Sequence, residues 1–295
     1  MRGKQGGFWK NPVDVFSVFY YTENAGLASQ NTGGNILKSF QCARDKTMKI
    51  FRFMLLLLVM GVSLTRAGDA PREQVRILLV TGQDYPGHPW KLTAPALALE
   101  LRRDTRLEVV TVEDPHFLDS AALTRYDAVV LHFMNWEQPA PGEKARENLR
   151  RFVEGGKGLV LVHFACGAWQ DWPGFADLAG RAWDPKLRPH DPRGVFRVKI
   201  TDQEHPITRG LEAFDADDEL YTCLAGERPI QVLASARSSV DGRDYPMAFV
   251  LNYGKGRVFH SVLGHDLKAI TVPGVAGLYR RGTAWAAGLD PAPGR

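Results

Sequence analysis

From Val75 onward, apolar and polar positions alternate between two regimes. VRILLVT (75–81), YDAVVLHF (126–133) and KGLVLVH (157–163) are nearly unbroken apolar runs, as expected of strands buried on both faces. LEVVTVE (107–113) is a further strand of the same series. Between them, residues 90–103 carry Leu92, Ala96, Leu97, Leu99 and Leu101 at helical spacing, with Arg102 and Arg103 suited to a helix C-terminus. Residues 142–154 read as an amphipathic helix closed by Gly155 and Gly156. Strands alternating with helices at this spacing predict parallel β–α units with helices on both faces of one sheet. The second half changes character. VFRVKIT (195–201), PIQVLASA (229–236), PMAFVLNY (246–253) and GRVFHSVLG (256–264) are strand-like segments joined by turns, NYGKG (252–256) being a tight one. DADDELY (215–221) reads as a solvated acidic loop entering a strand, with only Glu219 and Tyr221 able to point into a cleft. A last helix is expected at 274–287, and 74–288 read as one α/β domain.

Ahead of this domain, residues 48–70 read MKIFRFMLLLLVMGVSLTRAGDA. A short basic start, a short apolar stretch and small residues near Ala67 and Ala70 are the layout of a secretory signal peptide. The stretch is too short for a membrane span. A signal belongs at the start of a chain, so translation is expected to begin at Met48 and residues 1–47 to be a spurious extension. The alternative is a genuine tail ahead of an internal signal anchor. The expected location is outside the cytoplasm, in the periplasm, with no membrane attachment after cleavage.

Composition narrows the function. The chain has 295 residues, 44% of them hydrophobic, which is ample for a core. A formal charge of +4, with basic and acidic residues interspersed, provides no stripe for nucleic acid. Three cysteines are too few for a disulfide framework, although an exported chain could close a Cys166–Cys223 bridge.

Ligands of open α/β sheets bind outside the carboxyl ends of the parallel strands. By that rule His88, Trp136, His163, Trp169 and His265 gather at one rim. Imidazole is both a ligand for zinc-like ions and an acid or base near neutral pH. His88, His163 and His265, each delivered by a different strand end, are therefore the candidate ligands of a divalent metal such as zinc. His163 and Glu219 are the candidate acid/base residues. Trp136 and Trp169 could line a pocket for a sugar ring, although aromatic residues at this spacing also serve as ordinary core. His116, His132, His205 and His260 are read as structural. Cys166 lacks a nucleophile elbow: the apolar run already ends at His163, and no G-x-C-x-G is present.

Several segments together resemble the trehalose-utilisation (ThuA-like) family: GKGLVLVH (156–163), WPGFADLAG (172–180), HPITRGL (205–211), DELY (218–221), YGKGRVFHSVLGHD (253–266) and RGTAWAAG (281–288). The resemblance implies a flavodoxin-like, class I glutamine amidotransferase-like fold: a mostly parallel sheet with helices on both faces and extra strands in the C-terminal half. It implies that the amidotransferase cysteine has been lost. His163 and His265 fall on the family's strand-end histidine and its G-H motif, and His190 on a histidine found beyond Gly180. His88, His190, His265, Trp136, Trp169 and Tyr221 are then expected to bind substrate. Members are associated with disaccharides, glycosides and keto-sugars, so the expected partner is a small sugar, with self-association left open. A hydrolase or lyase is the first expectation. A non-catalytic sugar-binding module and a Cys-dependent amidohydrolase are the alternatives.

Overall fold

The first apolar run forms β1 (Val75–Val80), whose last four residues are buried. Ile77 and Leu79 enter the core on one face and Leu78 and Val80 on the other, as the two-residue period of a strand requires. Eight strands follow: β2 (Leu107–Val112), β3 (Ala128–Leu131), β4 (Gly158–Val162), β5 (Gly194–Ile200), β6 (Phe214–Asp218), β7 (Gln231–Arg237), β8 (Asp244–Tyr253) and β9 (Gly256–Ser261). The helices are α1 (Trp90–Arg102), α2 (Glu143–Glu154), α3 (Gly174–Ala179), α4 (Leu267–Ile270) and α5 (Pro273–Ala286). This computed structural model describes residues 74–83, 87–134 and 138–291, all within the compact unit Asp69–Arg295. The extension 1–47, the signal segment 48–70 and Trp136 lie outside the described residues. None of the described helices is long and apolar enough to cross a membrane.

The strands form one sheet in the order β2-β1-β3-β4-β9-β8-β7-β5-β6. The first five are mutually parallel. Their order is the 2-1-3-4-5 order of flavodoxin-like folds, with β9 in fifth place. The remaining four extend the sheet by antiparallel pairing. Helices α1 and α5 pack in the core on one face, and α2 and α3 in the core on the other. The change to antiparallel pairing occurs at the two-residue turn between Tyr253 and Gly256. Gly254 there has φ +58°, and a Cβ would lie 2.7 Å from the Glu154 backbone, so only glycine fits.

Counting reversals from β9 through β8, β7 and β5 gives β6 the same direction as β9. The carboxyl ends of β1, β4, β9 and β6 therefore share one rim. β6 corrects the sequence reading: DADDELY is not a solvated loop, because its first residues complete a strand paired with β5. Cys166 and Cys223 are both free thiols, so the anticipated bridge is absent.

His260, on β9, is wholly buried, with its Nδ1 3.1 Å from the Ala179 carbonyl. Burial lowers its pKa from 6.5 to about 4. The unfolded chain takes up a proton there below pH 6.5, whereas the folded chain does so only near pH 4. Stability is thus fully present above 6.5 and falls as pH drops through the window from 6.5 to 4, by on the order of 3 kcal/mol. Denaturant unfolding at pH 7 and pH 4 should show that much less acid destabilisation in His260→Gln than in the wild type. Equal acid losses in the two proteins would refute the assignment.

Candidate metal centre

His163 is the first residue after β4, at the start of a short 3-10 turn, His163–Gly167. Its φ is +45°, a left-handed conformation uncommon for a residue with a side chain. This strained strand-to-helix turn is the kind of place where nucleophile elbows carry their nucleophile. Here it carries an imidazole. His163 Nδ1 lies 2.7 Å from the Val262 carbonyl. A carbonyl only accepts, so Nδ1 carries a proton, and in the neutral ring Nε2 presents a lone pair. Nε2 points toward the rim, 3.5 Å from Glu219 Oε2.

Two other histidines converge on the same oxygen. His265, four residues after β9, brings Nδ1 to 3.2 Å from Glu219 Oε2. His88, just ahead of α1, brings Nε2 to 3.9 Å and stacks on Phe164 at a centroid distance of 4.9 Å. The three imidazole centroids are 4.7 to 5.5 Å apart. One donor atom from each of His88, His163, Glu219 and His265 lies within 4.8 Å of all the others.

Glu219 immediately follows β6, and its neighbour Asp218 fixes its place. Asp218 is 0% exposed. Its carboxylate accepts the backbone amides of Gly264 (2.6 Å), His265 (3.1 Å) and Glu219 itself (2.8 Å). Burial pushes the Asp218 pKa up despite these donors and the nearby His163. Glu219 behaves oppositely. Burial favours its neutral form, but His163 and His265 outweigh burial and hold its pKa well below the usual range. The Glu219 carboxylate likewise raises the pKa of His265 against the effect of burial.

The arrangement fits a cation. His163 Nε2, His265 Nδ1 and Glu219 Oε2 are buried atoms with no hydrogen bond. With the ring neutral, a lone pair on His163 Nε2 faces a carboxylate oxygen, a repulsive contact that a cation between them, or a proton on Nε2, relieves. Donor atoms held about 2.1 Å from one ion sit about 3.0 to 4.2 Å from each other. The three distances to Glu219 Oε2, 3.2, 3.5 and 3.9 Å, fall in that interval, and all four donor atoms lie within 4.8 Å of one another. With nitrogen and oxygen donors and no thiolate, the set suits zinc or another first-row divalent ion.

The expected metal ligands His88, His163 and His265 are thus brought together. Glu219, expected as an acid or base alongside His163, joins them as a fourth donor. His190 Nε2 lies 3.8 Å from the other Glu219 oxygen, Oε1. At 30% side-chain exposure it is the most open of these groups. His190 forms a β-bridge with Tyr221, whose buried ring meets His163 edge-on at 4.8 Å. Trp169 is placed differently. It is 1% exposed among Phe133, Trp172 and Phe175, and its indole N–H donates to the Pro141 carbonyl. The core reading of Trp169 is the one the structure supports. Cys166 is buried and its thiol is pushed up to about 12 by burial, unlike the exposed, low-pKa thiols typical of nucleophiles.

Asp218 escaped the sequence reading. The available signal was the alternation Phe214, Ala216, Asp218, which puts Asp218 on the inward face with Ala216.

This is a flavodoxin-like, class I glutamine amidotransferase-like α/β fold, with an imidazole at the elbow and a His/Glu cluster at the rim. The model of the family described as "Trehalose utilisation" (ThuA) matches residues 76–286, and the chain belongs to that family. A ThuA-like protein from Parabacteroides merdae superposes with a TM-score of 0.63 at 26% identity, over 73% of this chain and 90% of that one. One from Bacteroides uniformis gives 0.60 at 18% identity, over 76% and 96%. A cytoplasmic protein of Salmonella typhimurium LT2 gives 0.54 at 15% identity, over 72% and 99%. No curated protein matches the chain.

Cys223 is partly exposed and its thiol pKa is lowered, with hydrogen bonds from Thr222 and Tyr245 outweighing burial. Brief iodoacetamide treatment of the native protein, followed by peptide mapping, should label Cys223 at least tenfold faster than Cys166. Equal labelling would show that the Cys166 site is open.

Proposed function

We propose that this protein acts on a disaccharide, glycoside or keto-sugar with a divalent metal held by His88, His163, Glu219 and His265. The observation that supports the metal is the convergence of one donor atom each from His88, His163, Glu219 and His265, all within 4.8 Å of one another. The sugar rests on membership of the trehalose-utilisation family. A divalent ion held by His88, His163, Glu219 and His265 would polarise a carbonyl or hydroxyl of the bound sugar.

The chain supplies the rest. The Val262 carbonyl accepts from His163 Nδ1 and so directs Nε2 at the site, as backbone carbonyls commonly do for metal-bound histidines. Phe164 backs the His88 ring and sets its plane. His190, on the open side, and Tyr221 beneath it orient the sugar; the Asp191 carbonyl, 2.7 Å from His190 Nδ1, leaves Nε2 free to accept from a sugar hydroxyl. The reaction is a hydrolysis or elimination at the sugar. The signal-like segment 48–70 supports a site of action in the periplasm.

Elemental analysis of the purified protein should find about one zinc, manganese or iron ion per chain, and His163→Ala and His265→Ala should lack it. No ion in the wild type after incubation with each metal would overturn the proposal. His190→Ala should retain the metal and bind a trehalose or glucoside ligand about tenfold more weakly by calorimetry, the effect of one lost hydrogen bond. Unchanged sugar affinity would remove His190 from the binding site.

A further inference from the structure

We infer that Asp218 is the positioning residue of the metal centre, the group that brings two of its donors into register although it binds no metal itself. This inference rests on the metal reading above. Glu219 and His265 come from strands four places apart in the sheet, β6 at its edge and β9 at its middle. Nothing in the sheet hydrogen bonding brings those strand ends together. On the exposed side Arg193 pairs with both Asp217 and Asp266, and Lys268 with Asp217, while in the interior the Asp218 carboxylate takes the Gly264 amide on Oδ2 and the His265 amide on Oδ1. The amide of Glu219 shares Oδ1. One buried carboxylate thus grips the backbone of both donors at once.

The receiving loop is shaped for that grip. Gly264 has φ +116°, and a Cβ there would lie 2.9 Å from Ile270 Cγ1, so glycine alone lets this amide turn toward Asp218. On the other side the Tyr279 hydroxyl is shared between the Ser261 and Leu263 carbonyls. Val262, between them, holds His163. Through this one loop Asp218 acts on three of the four donors. A buried carboxylate needs such partners, since burying a charge without hydrogen bonds is strongly unfavourable.

Asparagine at 218 keeps the shape but replaces an accepting oxygen with an N–H donor, leaving one of the loop amides unpaired. Cobalt(II) titration of the full chain, read from the visible d–d bands, tests the role. Asp218→Asn should bind cobalt 10- to 100-fold more weakly than the wild type and with an altered band pattern. Leu149→Ala, a core truncation on α2, should lose stability while keeping the wild-type spectrum and affinity. If Asp218→Asn does not fold, Asp218→Glu, which displaces the carboxylate by one methylene, is read by the same criterion. Affinity within twofold of the wild type and an unchanged spectrum would overturn the positioning role and leave the metal reading standing. A wild type that binds no cobalt would overturn both.

Discussion

Three imidazoles directed at one carboxylate oxygen, in a place water reaches poorly, form the constraint around which this molecule is arranged. Groups of that kind are stabilised by positive charge among them, carried by a bound ion or by protons on the rings. The parallel half of the sheet supplies the histidines because every parallel strand ends on the same side. The antiparallel half supplies the carboxylate because an even number of reversals returns β6 to the direction of β9. Neither half contains the whole set of donors.

The consequence for chemistry is a change of occupant at a familiar position. In an elbow, the strained residue after the strand projects its side chain at the rim, clear of the sheet. The left-handed backbone of His163 has that geometry, and the group it presents is an imidazole. The one nearby thiol, Cys166, lies on the 3-10 turn that follows and is buried in the core. The architecture thus offers a position at which different side chains can be presented, consistent with the principle that function resides in the site rather than in the architecture.

Much of this was legible in the sequence. The runs ending near Val80, Leu131 and Val162 announced a parallel sheet, and the rule for strand ends placed His88, His163 and His265 at one rim before any coordinates. What was not legible followed from long-range geometry. Glu219 was visible as a candidate, but its place among the ligands depends on the direction of β6. The acidic character of 215–218 concealed a strand, because Asp215 and Asp217 face outward to Arg197, Arg193 and Lys268 while Asp218 turns inward. Trp169 stood on the boundary between pocket and core, and spacing alone could not decide it. Its partners Phe133 and Pro141 belong to the segment after β3.

The donors are drawn from positions 88, 163, 219 and 265, close to the full span of the folded domain. An ion held there acts as a reversible cross-link, joining four distant stretches of chain in the native state and none in the unfolded one. As with any tie that closes long loops, its effect falls mainly on the entropy of the disordered chain, and native-state binding adds stability in proportion to the logarithm of ion concentration. In a compartment where free metal varies, the supply of the ion would then govern both the readiness of the site and the lifetime of the protein that carries it.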